Sequence, residues 1–248
     1  DPYLLQQDEL DVDENGNCLW DDCSGYTGDP DFHVNDNGIG YMGMSSFTYE
    51  SNLEEPYLHT FFFKKTTDNG ETWSSDGGYK NSGYHYIADS VLIRLSDSLY
   101  TLWTNNPDLY PDRIWYNEAI TIDGDYSDYY LTPGLFIGYK YDMRTDYTGG
   151  LHIVSAVQPY LCRANDNGCD DSNGDGLADD RIMESRLGNS GMYHFYNPDP
   201  INSPNNWTAS LVKDMSDTYY AQFEGVMALN ADSWFYFYPK ISLSEESN

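Results

Sequence analysis

Strand-length aromatic and aliphatic runs, cut at short intervals by Asp, Asn and Gly, set the strongest limit on what this chain can fold into. Residues 39–47 and 57–65 are two such runs, and Phe61, Phe62 and Phe63 in the second require burial on at least one face. Asp68-Asn69-Gly70 then signals a turn, and Trp73 anchors the next extended piece. The pattern returns at 88–95 and 98–103 with a turn near Asp97, and a further strand begins at 113–116. It continues at 135–141 and 151–157 around a turn at 146–150, at 191–196 and 207–212 around a Pro/Asn-rich turn, and at 219–229 and 233–241. Neither a long segment of period 3.6 nor a regular alternation of strand and helix stands out, so the expectation is a single all-β domain over residues 1–248. Two architectures suit short strands with frequent turns, a β-propeller and a β-sandwich, and irregular spacing does not separate them.

Charge narrows the partners. Lys and Arg number 12 against 41 Asp and Glu, a net charge of −29, which disfavours nucleic acid and anionic membrane surfaces as partners. Thirty of the 41 acids are Asp, a residue suited to turns, caps and calcium loops rather than to element interiors. No apolar run approaches the roughly 18 residues that cross a bilayer, so no transmembrane segment is expected. A start at Asp1-Pro2 without Met reads as a processed or excised product. The four Cys allow three pairings, and their spacing favours Cys18–Cys23 and Cys162–Cys169 over reduced thiols or a zinc site. With the acidic, Tyr-rich composition, local disulfides point to a secreted or cell-surface protein.

Two stretches carry the spacing of calcium ligands. In Asp171-Ser172-Asn173-Gly174-Asp175-Gly176-Leu177-Ala178-Asp179, oxygens from Asp171, Asn173 and Asp175 can converge on one hard cation. Leu177 offers its carbonyl and Asp179 binds directly or through water. The stretch resembles EF-hand and thrombospondin type 3 loops, with Ile182 where a bidentate acid would close the shell, and makes 162–184 a calcium-loop insertion. The second, weaker stretch has Asp11, Asp13, Asn15, Asn17 and Asp22 in an Asp/Cys-rich segment, 1–28. Ca²⁺ is therefore the expected cofactor.

The segment Thr66-Thr67-Asp68-Asn69-Gly70-Glu71-Thr72-Trp73 resembles the Asp-box of sialidase-like (BNR-repeat) propellers, matching at Thr66, Asp68, Gly70, Thr72 and Trp73. The resemblance implies a propeller, complete or a fragment of a larger one, with blade-like units from about residue 29 onward. It implies that the box is a structural hairpin turn on a blade rim. There Asp68 accepts backbone N–H bonds, Gly70 takes positive φ, and Trp73 inserts under the turn. In the enzymes of that family three Arg grip the substrate carboxylate, and Arg94, Arg113 and Arg144 are the candidates here, though none lies in a recognisable copy of the catalytic motifs. General glycoside hydrolysis needs two carboxylates about 5 to 10 Å apart, for which Glu118, Asp123, Asp142 and Glu224 are candidates; all of them also read as strand-end carboxylates facing water. Tyr126, Tyr129 and Tyr130, with Tyr193, Phe195 and Tyr196, form aromatic clusters suited either to ligand contact or to a β core.

The resulting expectation is an extracellular, calcium-stabilised recognition or scaffold module binding a glycan or a surface protein. A glycoside hydrolase and a structural component of a cell-surface assembly are the alternatives.

Overall fold

The computed structural model describes residues 30–47, 59–109, 120–121, 128–163, 169, 181–183, 190–214 and 239–243. These residues are mostly β, in two antiparallel sheets with one α-helix. The first sheet has four strands in sequential order: β1 (Asp31–Val34), β2 (Gly40–Phe47), β3 (His59–Thr66) and β4 (His85–Tyr86). Both of its faces are covered, which is why three consecutive Phe are tolerated. Phe61 and Phe63 enter the main core, while Phe62 points the other way into a small cluster with Met44, Tyr79 and Tyr84. The loop that closes this cluster depends on Gly78, at φ 66°, where a Cβ would lie 2.0 Å from the Tyr84 carbonyl oxygen.

The second sheet is built on a long hairpin of β6 (Asp128–Thr145) and β7 (Leu151–Arg163). Its strand order is β10 (Thr208–Asp214), β9 (Gly191–Asn197), β7, β6 and β5 (Ile120–Thr121), with β8 (Arg181–Met183) also paired to β7. The β6–β7 register shifts between Thr132 and Leu135, where Pro133 has no N–H to give to the ladder, and again between Ile137 and Tyr141. Strand β9, held between β10 and β7, shows the period-two pattern: Tyr193 and Phe195 are fully buried, while Met192, His194 and Tyr196 alternate outward.

One element departs from the expectation. Residues 88–95 and 98–103, read as two strands around Asp97, form a single helix, α1 (Asp89–Thr104). Its buried residues Val91, Leu92, Leu95, Ser96, Leu99, Tyr100 and Trp103 recur at helical spacing, and Asp97 lies on the exposed face. Six-residue windows of that stripe look like strands; the sixteen-residue stripe does not. The helix packs on β6 and, at fewer points, on β10, and its apolar face shares one core with both sheets. Phe61 meets Tyr141 edge to face at 4.7 Å across the sheets.

The sheets are also joined by polar contacts at one end. The Met143 N–H donates to the Asp31 carboxylate (3.3 Å) and the Thr145 N–H to His33 Nδ1 (3.0 Å), so β1 side chains occupy the free edge of β6. Asn35 Nδ2 donates to the Asp146 carbonyl at 2.5 Å, and the Tyr41 hydroxyl to the Gly149 carbonyl at 3.0 Å. Tyr129, Tyr193 and Phe195 are core residues, which settles their part of the aromatic clusters as packing. Tyr130 and Tyr196 are half-buried, and Tyr126 lies outside the described residues. The strand expected at 113–116 and most of the two expected beyond 218 lie outside them as well; residues 239–243 are described and are not strand.

Candidate functional site

Among the described residues, the outward face of the second sheet brings together a cluster of hydrogen-bonded titratable side chains. It begins at Asp146, in the turn between β6 and β7. The Asp146 Oδ1 accepts the backbone N–H groups of Thr148 and Gly150 at 2.8 Å each and the Thr148 hydroxyl at 2.7 Å. Burial works to raise the pKa of this carboxyl, but the hydrogen bonds from Thr148, Gly150 and His152 outweigh it and hold the group below its ordinary range. The second oxygen, Oδ2, faces the sheet. It lies 3.2 Å from His152 Nε2 and accepts the Tyr196 hydroxyl at 3.4 Å.

Strand pairing brings the remaining groups together. His152 on β7 stands opposite Tyr196 on β9, and the next pair on the same face is Val154 with His194. The Tyr196 ring stacks on the face of His152, with centroids 4.4 Å apart. His194 meets His152 differently. The two ring planes lie within 9°, the centroids are 5.1 Å apart, and His152 Nδ1 is 2.9 Å from His194 Nε2. Because each nitrogen sits about 1.1 Å from its ring centroid, these distances close only if the rings are nearly coplanar and meet edge to edge. The contact is therefore an in-plane N–H···N hydrogen bond, not face-to-face stacking. Burial, and secondarily the neighbouring His152, lowers the pKa of His194, so its neutral form is favoured.

Beside this array runs an open groove of about 540 Å³. Its floor is His152, Val154, Met192, His194 and Val212, and its wall is the segment 239–243. The wall is fastened by Asp142, whose side chain is 1 % exposed. The Asp142 carboxylate accepts the Ile241 N–H at 2.6 Å and Lys240 Nζ at 3.4 Å, and it pairs with Arg144 at 3.0 Å. Apolar side chains thus alternate with imidazoles along a strip open to solvent.

Several residues singled out from the sequence have structural partners. Arg94 donates from α1 to the carbonyls of Asn205 (2.9 Å) and Trp207 (3.0 Å), fixing the loop before β10 to the helix. Arg144 bonds Asp142 and the Met143 carbonyl and lies 3.9 Å from Asp31, and Asp142 fastens the groove wall. Arg113, Glu118, Asp123 and Glu224 lie outside the described residues, as do the calcium-ligand stretches at 11–22 and 171–179 and the pair Cys18–Cys23. Cys162 and Cys169 are disulfide-bonded. Among the described residues no group of three or more His, Cys, Asp or Glu side chains is placed to hold a metal ion, and no helix is long and apolar enough to cross a membrane.

The turn at Asp68 is closed by its own side chains. Asp68 accepts the Thr72 N–H at 2.9 Å, the Thr72 hydroxyl at 2.5 Å and the Thr66 hydroxyl at 2.7 Å, and the Gly70 N–H donates to Thr66 Oγ1 at 3.0 Å. The bonds from Thr72, followed by that from Thr66, lower the Asp68 pKa to about 2. Gly70 has φ 84°, and Trp73 is half-buried close beneath it.

The histidine array was not singled out in the sequence. His152 and His194 are lone His in separate strands, 42 residues apart, and only the β7–β9 register unites them. The alternation Tyr193-His194-Phe195-Tyr196 was the available signal, since burying the bulky 193 and 195 turns 194 and 196 outward. No family model and no curated protein matches this chain.

Proposed function

We propose that this protein is an extracellular, calcium-stabilised recognition module that holds an extended segment of a surface protein in the groove beside His194. The observation that carries the reading is the groove itself: an open apolar floor on a sheet face, with the non-strand segment 239–243 as one wall and a few polar groups. Its aliphatic lining, Val154, Met192 and Val212, suits alternate side chains of a polypeptide better than the apolar face of a sugar, which favours exposed aromatic plates.

Calcium enters this reading at the β7–β8 connection. The pairing of Cys162 with Arg181 brings the two ends of that connection together, and the Cys162–Cys169 disulfide braces its first part. The segment 171–179 lies between them in the chain, so one cation there would draw its carboxylates together. The first sheet and its Asp68 turn are read as one blade of an Asp-box propeller, with the second sheet as a neighbouring unit.

The test presents a library of extended peptides and a panel of glycans to the folded protein and to Met192→Arg, which places a charge in the groove floor. Peptide binding that is lost in the variant is the expected result. Glycan binding lost in the variant would transfer the groove to the carbohydrate alternative, and the absence of any binder, or binding unchanged by Met192→Arg, would overturn the assignment.

A further inference from the structure

The order of protons along Asp146, His152 and His194 follows from the geometry. Asp146 accepts five hydrogen bonds through its two oxygens, counting His152, and its lowered pKa keeps it ionised and acceptor-only near neutral pH. His152 Nε2 must then carry the proton that faces it. A neutral His152 has its lone pair on Nδ1, which accepts from His194 Nε2–H across the 2.9 Å contact. A neutral His194 is left with its lone pair on Nδ1. That nitrogen has no hydrogen-bond partner among the described residues, and His194 lines the groove.

We propose that Asp146 and His152 act as positioning residues that lock His194 in one tautomer, so that its Nδ1 is a fixed acceptor for an N–H or O–H group of the ligand in the groove. The ligand's being a polypeptide rests on the function proposed above; the proton order does not. Each member has a separate task. Asp146 sets the polarity of the chain, His152 transmits it one hydrogen bond further, and the Tyr196 ring holds the His152 plane in line. The ligand that complements the site carries a backbone N–H or hydroxyl on an otherwise apolar stretch.

Reversing the polarity at its source supplies the discriminating test. In Asp146→Asn the carboxamide oxygen can keep the turn bonds from Thr148 and Gly150 while its NH₂ faces His152. That amide donates, so His152 Nε2 becomes the acceptor, its proton moves to Nδ1, and His194 is driven to the Nδ1–H form. Nitrogen-15 correlation spectra of the full chain, labelled at His, read both rings. The expected wild-type result is Nε2–H on both, with scalar coupling between His152 Nδ1 and His194 Nε2, and the expected variant result is the opposite tautomer on both. Absence of the coupling in the wild type, or a folded variant whose His194 stays Nε2–H, would overturn the proposal. The ordinary preference of free imidazole for Nε2–H cannot imitate the reversal. The wild-type coupling decides the matter alone if Asp146→Asn does not fold.

A peptide selected on the groove provides the second arm. His194→Phe keeps a flat ring but removes the acceptor and should weaken that peptide about tenfold, the loss of one well-placed hydrogen bond. Peptide affinity unchanged in His194→Phe but lost in Met192→Arg would sustain the recognition reading and overturn the acceptor role. Absence of any peptide binder would overturn the recognition reading, while the spectra would still judge the proton order.

Discussion

The Ser96 hydroxyl, on the buried face of α1, accepts the backbone N–H of Gly134 at 2.8 Å. Gly134 follows Pro133 where the β6–β7 register shifts, so its N–H has left the ladder and would otherwise be buried without a partner. One helix hydroxyl thereby completes the hydrogen bonding of an irregular strand 38 residues away.

Ser96→Ala should therefore destabilise the protein by about 1 to 3 kcal/mol, the cost of stranding a buried donor, even though it removes a single oxygen. Urea denaturation of the two proteins measures it. A difference within about 0.5 kcal/mol, typical of a neutral surface change, would show that Gly134 finds another acceptor.

For Asp68, substitution by Ala removes the acceptor for Thr72 and Thr66, and the turn joining β3 to the following loop loses its closure. The melting temperature should fall, while peptide binding at the groove persists in the molecules that stay folded. Binding lost at an unchanged melting temperature would place Asp68 in a binding site instead of a structural turn.

If the calcium assignment proposed above holds, calcium should raise the melting temperature well beyond the effect of sodium at equal ionic strength, because sodium only screens the −29 charge whereas a coordinated cation stabilises by linkage. Magnesium should substitute poorly, since it dehydrates reluctantly and prefers a smaller octahedral shell. The comparison is a thermal melt in chelator, calcium, magnesium and matched sodium, repeated on the double variant Asp171→Asn, Asp175→Asn. Equal melting temperatures in chelator and calcium, or a full calcium effect kept by the variant, would end the assignment.

Acidification should lower stability in two stages. Burial is the largest cause of the lowered pKa values of His33, His85 and His194. The unfolded chain takes up these protons near pH 6.5 while the folded chain still resists them, so unfolding binds protons and stability falls as pH drops below about 6.5. Asp68 and Asp146, also lowered, add their loss only below about pH 3.8, and for Asp68 it continues to about 2. Urea midpoints between pH 7.5 and 5.5, taken at high ionic strength to screen the opposing relief of net negative charge, should decline. A flat or rising series would contradict the histidine part.

How much of this was legible in the residues differs from element to element. The strands around Tyr193-His194-Phe195 and the turn at Asp68 are local: alternation and a short carboxylate beside Gly specify them within a few residues. Helix α1 reads locally as strand because β-branched and aromatic residues such as Val91, Ile93, Tyr100 and Trp103 have strand-like propensity, and only a window of three or more turns reveals the buried face that Val91, Leu95, Leu99 and Trp103 share. The run Phe61, Phe62, Phe63 requires burial on at least one face, but nothing local tells that Tyr79 and Tyr84 cover the second as well. His152 and His194 lie further still from sequence reasoning. Their bond depends on which strand β7 chooses as its second neighbour, and that choice is made by the packing of the whole sheet.

Strand β7 also works as a ruler. It carries His152 near one end and Cys162, root of the disulfide-braced loop, ten residues later. At about 3.3 Å per residue the two positions stand roughly 33 Å apart along the strand, several times the Debye length of about 8 Å at physiological salt. Charge arriving at the Cys162 end is therefore invisible to the imidazoles at the other. The two ends of one strand are thus electrostatically separate, and a change of charge at either is screened from its counterpart.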